Sequence, residues 1–218
     1  MISETDIANL ALNLLCEKPI ADINDNTDTV ARTVKVVYAQ ERNKLLERCQ
    51  WSFATKMTTI SKLAEAPVYK WSAYYQLPSD FIRLIEIDRV DAWLPKEYFD
   101  IHGRKLCLNR TESTDENADT VDIEYIFRQE DSTLYTPLFC DALAYAVASR
   151  VARPLTGSDQ KAERLLEQLE QIILPQAMTR SLQQVYSGKN HPIRTMLGKS
   201  FIGNARHAGG AAQVGLEP

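Results

Sequence analysis

Imidazoles and paired thiols are scarce in this chain of 218 residues. It has three histidines, His102, His191 and His207, and four cysteines with no Cys-x-x-Cys among them. No His/Cys group has ligand spacing, which argues against the usual zinc site. Cys16, Cys49, Cys107 and Cys140 lie far apart, whereas a disulfide framework crowds its cysteines into a shorter chain. All four are therefore expected reduced and mostly buried. No apolar run approaches the ~18 residues of a spanning helix. The N-terminal segment carries Glu4 and Asp6 and has no apolar signal core. These absences predict a protein made and assembled in a cytoplasm, without a membrane partner. No Gly-x-Ser-x-Gly, phosphate-loop lysine or dinucleotide fingerprint occurs. Carboxylates are common, but a pair without geometry designates no active site. The expectation is no catalytic residue, no cofactor and no metal ligand.

What is present is enough apolar material, 44% of residues, for one good core and a small second one. Net charge is −4, which leaves no whole-chain footprint for nucleic acid. The charge is unevenly placed. Segment 1–28 carries one positive and six negative groups, 29–63 seven and two, 64–135 eight and fifteen, 136–185 five and five, and 186–218 four and one. Such a distribution permits charge-complementary contacts between copies of the chain.

Ser3 with Asp6 forms a capping-box-like start. Ile7, Leu10, Ala11 and Leu14 at helical spacing predict a first helix over 3–16. A polar loop with Pro19 follows. A second helix runs from about 28 to 49, with Val30, Val34, Val37, Tyr38 and Leu45 on one stripe. Glu41, Arg42, Lys44, Glu47 and Arg48 are expected on its solvent side. Thr58 to Ile60 and Phe81 to Val90 favour strands. The stretch 98–108 reads as a hairpin turning at Gly103, and 109–119 as an exposed loop. Val121, Ile123, Tyr125 and Phe127 alternate with Asp122, Glu124, Ile126 and Arg128, a strand with one buried face. Helices resume at Pro137, pause at Pro154 and Gly157, and restart on a Ser158 or Asp159 cap. Pro175 is expected to kink or divide the last helix. The predicted class is mainly α: a helix bundle from 1–63 and 133–185, a small β-rich insertion at 64–132, and an extended C-terminal arm at 186–218.

Two groups of residues are candidates for interaction. Trp51, Phe53, Trp71, Tyr74 and Tyr75 belong to an aromatic block spanning 50–84. Stacking on bases needs a basic groove, and Lys70 is almost the only cation nearby, so packing between elements or subunits is the better reading. The arm holds six of the eight glycines and interleaves Lys189, Arg194, Lys199 and Arg206 with Ile193, Met196, Leu197, Phe201 and Ile202. Cations five to seven residues apart among apolar anchors suit a segment that orders along a protein partner better than a DNA tail. The acidic loop 22–28 lacks the glycine and glutamate of a calcium loop and reads as a turn with a helix N-cap.

Trp51-Ser52-Phe53-Ala54 after a long helix, followed by Tyr69-x-Trp71-x-x-x-Tyr75-Gln76-Leu77-Pro78-x-Asp80 before a strand, resembles the head-to-tail adaptors of tailed phages, the tail tubular protein A-like family. The resemblance covers most of 3–185. It includes 11–20, Arg32 and Phe139-x-x-Ala142-Leu143-Ala144. It implies a helix bundle with a β-rich insertion, in a homo-oligomeric ring of twelve copies beneath the portal protein. Such a ring extends the channel, lets double-stranded DNA pass without specific binding, and gives a tail or nozzle protein its docking surface. It also implies a place at the virion's head–tail interface and a C-terminal arm, here 186–218, that embraces the portal. Two rival classes stand beside it: a virion-associated peptidoglycan hydrolase, which needs pKa-shifted carboxylates in a cleft, and a nucleic-acid-binding protein, which needs steep salt dependence.

Overall fold

A computed structural model describes residues 2–67, 70–87, 90–91, 99–109 and 119–185. The arm residues Lys189 to Arg206, His191 and His207, the third tryptophan Trp93, and most of the loop expected at 109–119 lie outside the described residues.

The helices are α1 (Glu4–Leu14), α2 (Thr29–Arg48), α3 (Pro137–Thr156), α4 (Asp159–Gln168) and α5 (Leu174–Val185). Local chemistry sets their ends. Ser3 and Asp6 close a reciprocal capping box on α1, Asp28 caps α2, Thr136 caps α3 with Pro137 in its first turn, and Ser158 caps α4. α1 ends in a Schellman turn, with Glu17 N–H donating to the Leu12 carbonyl and Cys16 N–H to that of Asn13, both at 3.0 Å. Cys16 takes the left-handed position there, at φ 62°. α3 runs through Pro154 to Thr156 and is stopped by Gly157 at φ 68°, so glycine and not proline terminates it. α4 and α5 are joined without a break by a π-helical turn over Leu169–Ile173. Pro175 has no N–H and its ring crowds the preceding turn. The wider π turn just before it relieves that crowding, so the helix bulges where a kink or division is expected.

Among the described residues, seven strands form two antiparallel sheets. β1 (Thr55–Ser61), β7 (Thr120–Phe127), β3 (Phe81–Ile87) and β4 (Val90–Asp91) lie in that order in one sheet. β2 (Ala73–Gln76), β6 (Lys105–Leu108) and β5 (Phe99–His102) form the other. The fold is thus mixed α and β, which corrects the mainly α class. The unexpected strand is β2, four residues and too brief to announce itself by alternation; the expected hairpin of β5 and β6 pairs with it into a second sheet, where a small insertion is expected.

One core joins the buried faces of the five described helices to the turn at Ala54 and to the helix-facing side of the four-stranded sheet, through Ile82, Ile85 and Ile126. The second core lies between the sheets and holds Ile60, Tyr75, Leu84, Leu106, Val121, Ile123 and Tyr125. Strand β3 serves both, and two register shifts, between Phe81 and Arg83 and between Leu84 and Glu86, let Phe81, Leu84 and Ile87, three apart, share the face between the sheets while Ile82 and Ile85 face the helices. β7 is buried on both faces at Tyr125 and Ile126, where one buried face is expected. The β5–β6 hairpin turns at Gly103 with φ 63°, the left-handed conformation that favours glycine there.

Candidate functional site

Strands that must dock on helices need a rigid junction, and the Trp51 block supplies it. Trp51 is fully buried and its Nε1–H donates to the Leu45 carbonyl at 2.8 Å, satisfying an orphan acceptor at the end of α2. Its ring meets Phe139 edge-on at 4.9 Å, and Phe139 in turn meets Phe53 at 5.0 Å and Tyr135 at 4.9 Å. Trp51 and Phe53 therefore sit together, their ring centres 5.9 Å apart. Tyr75 is separate, fully buried in the core between the sheets. Trp71 and Tyr74 form a small satellite with Cys107 and Leu63, and the Lys70 and Lys105 ammonium groups lie 4.7 and 5.8 Å from the Trp71 and Tyr74 ring centres. The aromatic block thus divides among three packing sites, and its largest rings face the interior.

The displaced proton affinities follow burial and turns. Burial pushes the Cys49 and Cys140 thiols up to about 11 and raises Cys107 as well. A protonated, buried thiol is a small apolar group and a poor nucleophile. Burial, helped by the hydrogen bond to Asp80, raises the Tyr125 phenol to about 12. Burial holds Tyr38 and Tyr135 above their ordinary range. Asp6 is lowered by Ser3 N–H, and Asp25 and Asp131 are lowered by the hydroxyls and N–H groups of Thr27 and Thr133. In the loop 22–28, Asp22, Asp25 and Asp28 accept main-chain N–H groups of Asn24, Thr27 and Val30, so this acidic run builds a turn and a helix cap. Among the described residues, no group of three His, Cys, Asp or Glu side chains is placed to hold a metal ion, and no helix is long and apolar enough to cross a membrane.

Two charges of α2 expected in solvent are buried. Arg42 turns inward to Glu4 at 3.6 Å and Glu130 at 3.2 Å, and Glu41 binds Lys44 at 2.6 Å and Arg150 at 3.2 Å. Partners from α1, α3 and the segment before α3 make this burial tolerable, and sequence distance hides them.

A cavity of about 500 Å³ opens beside β3 and the β5–β6 hairpin, lined by Leu77, Phe81, Leu84, Phe99, Ile101 and Arg104 among others. The Arg104 guanidinium donates to the Pro78 carbonyl at 2.6 Å.

The outward surfaces offer more than the interior. β1 is an outer strand, and no described strand pairs with its free edge over 55–60. Natural edges are blunted by proline, bulges or outward lysines. β1 has no proline, and its one cation, Lys56, reaches back to Asp80 at 3.3 Å and over the Phe127 ring. Met57 stands 75% exposed on this strand. On α1 the buried face is Ile7, Ala8, Ala11 and Leu12, so Leu10 and Leu14, expected in the core, are 41% and 36% exposed. On α2 Val36 is 63% exposed, and Leu166 and Ile172 face solvent after it. Sequence reading missed these positions because α1 carries two interleaved apolar stripes. The short residues Ala8 and Ala11 in one of them were the signal for close packing on a neighbour. No protein-family model matches the chain, and no curated protein matches it.

Proposed function

We propose that the chain is a structural, non-enzymatic head-to-tail adaptor of a tailed phage virion. Copies form a ring under the portal, extend the channel through which double-stranded DNA passes without specific binding, and present a docking surface to the tail or nozzle. Assembly takes place in the host cytoplasm. The observation that carries the reading is the block from Trp51 to Asp80. Trp51, Trp71, Tyr75 and Leu77 of the adaptor resemblance are buried in it, and Trp51 and Phe53 pack against Phe139 of the other resembling segment. The reading does not use the mainly α class, which the fold corrects. It is supported also by what the chain leaves on its surface: apolar side chains on α1 and α2 and an undefended strand edge at β1. In this reading α2 and α4 belong to the ring wall, the sheets face a neighbour or the tail, and the segment 186–218 holds the portal through Ile193, Met196, Leu197, Phe201 and Ile202, with its cations on acidic groups of the partner. A mildly acidic protein, with net charge −4, lets DNA slide where a basic one would hold it.

The test is the mass of the purified protein alone and mixed with a portal ring. A ring-sized complex with the portal is expected, and a truncation lacking 186–218 is expected to stay folded and no longer dock. A full-length chain that ignores the portal overturns the reading, and a truncated chain that docks with unchanged affinity overturns the role of the arm.

A further inference from the structure

A helix that packs one face on a neighbour should carry polar side chains on the other. α1 and α2 both break that rule, and in complementary ways. Each buries its inner face in the core around α3. Along one edge of that face α1 exposes Asp6, Leu10 and Leu14, and the turn after it exposes Glu17. Along one edge of its own buried face, α2 exposes Arg32, Lys35, Val36 and Ala39. One stripe sets two carboxylates around two leucines. The other sets two cations one turn ahead of an exposed valine and alanine. No acidic residue lies between Thr29 and Gln40 to neutralise those cations.

We propose that neighbouring copies of the chain meet through these two stripes, α1 of one subunit lying antiparallel on α2 of the next. The inference rests on the connector reading for its call for self-association and adds the faces that carry it. The apolar centres, Leu10 and Leu14 against Val36 and Ala39, supply the burial. The charges set direction. Asp6 is already engaged, its carboxylate accepting Ser3 N–H and the Ser3 hydroxyl at 2.9 and 2.8 Å. Glu17, Arg32 and Lys35 make no ion pair among the described residues, the Arg32 guanidinium donating only to the Thr29 hydroxyl at 3.4 Å. An antiparallel arrangement brings Glu17 to Arg32 and Lys35, so the unspent carboxylate meets the unspent cations. Because the two stripes are different surfaces of one chain, the contact is heterologous and propagates, closing when its rotation divides a full turn.

Charge reversal tests this without threatening the fold. Glu17→Lys puts a cation at the C-terminal end of α1, and Arg32→Glu with Lys35→Glu puts anions near the N-terminal end of α2. Each is the charge that its own helix end favours. Sedimentation of the full-length chain over a concentration series is expected to show self-association of the wild type. Either reversal should weaken it by about tenfold or more, since like charges then face each other, and the triple variant should recover it. Leu10→Ser with Leu14→Ser should abolish it with the circular dichroism spectrum unchanged. A wild-type chain that stays monomeric, reversals without effect, or a triple variant that fails to recover would each overturn the proposal. A portal ring added to the same samples separates the two readings. A chain that associates through these faces but ignores the portal keeps this inference and sinks the connector. Reversals that stay monomeric alone yet still sediment with the portal leave the connector standing.

Discussion

Around α3 the interior is filled largely by small side chains, Ala142, Ala144, Ala146, Ala148 and Ala152, that bring helices close, with the aromatics gathered at one end. Between the sheets it is filled by branched and aromatic residues standing across strands, Ile60, Val121, Ile123, Tyr75 and Tyr125. The helical half depends on many close contacts converging on one junction. The strand half spreads its burial over smaller clusters. Damage at the junction should therefore spread further than damage in a satellite.

The sharpest break of that contrast is a pair of tryptophan truncations. Trp51→Ala removes a fully buried ring and leaves the Leu45 carbonyl without its donor, and a loss of about 3–5 kcal/mol is expected. Trp71→Ala opens only the small cluster with Tyr74 and Cys107 and should cost less than half as much. Urea denaturation of both variants reads the difference, and equal losses would dissolve the distinction. Alkaline pH should single out the helical half next. Cys49 and Cys140 sit in its core with thiols raised to about 11. A raised folded value means that stability is intact below the unfolded thiol's ~8.5 and declines above it, because the unfolded chain ionises first. The melting temperature should therefore fall between about pH 8.5 and pH 11, with a shallower fall in Cys140→Ala measured against its own neutral value. A Cys140→Ala curve parallel to the wild type would locate the alkaline weakness elsewhere. The smallest effects come from two left-handed residues with nearly the same φ, Gly103 at 63° and Cys16 at 62°. Gly103→Ala should destabilise the β5–β6 hairpin by roughly 1–2 kcal/mol. Cys16→Gly should stabilise the end of α1 by about 0.5–1 kcal/mol. Denaturant midpoints that move in the same direction would show that context outweighs the backbone preference.

Helix ends were legible because their chemistry is local: Ser3 with Asp6, Asp28, Pro137, Ser158 and Gly157 act within four residues of themselves. The β7 alternation and the Gly103 turn were readable for the same reason. Facing was harder. Leu10 and Leu14 repeat at helical spacing as well as Ile7 and Ala11 do, and only the docked α3 decides which stripe is covered. Glu41 and Arg42 look like surface charges until Arg150 and Glu130 arrive from more than eighty residues away. The class is misread because β2 is brief and is stabilised by the distant β6, so that the expected β5–β6 hairpin looks like a small insertion until β2 joins it in a second sheet. The surface proposed on α1 and α2 is half visible in the sequence: the charge asymmetry of 1–28 and 29–63 is written there, and the exposure of the leucines and the valine is not.

Cys16 has a practical value that its backbone conformation does not suggest. It is the exposed cysteine, and the other three are buried. A maleimide dye at neutral pH should therefore mark one position per chain with no engineered residue. That position lies between Leu14 and Glu17, beside the proposed α1 contact, so the native thiol doubles as an optical reporter. Its emission should change as subunits join and stay constant in any variant whose α1 face remains in water.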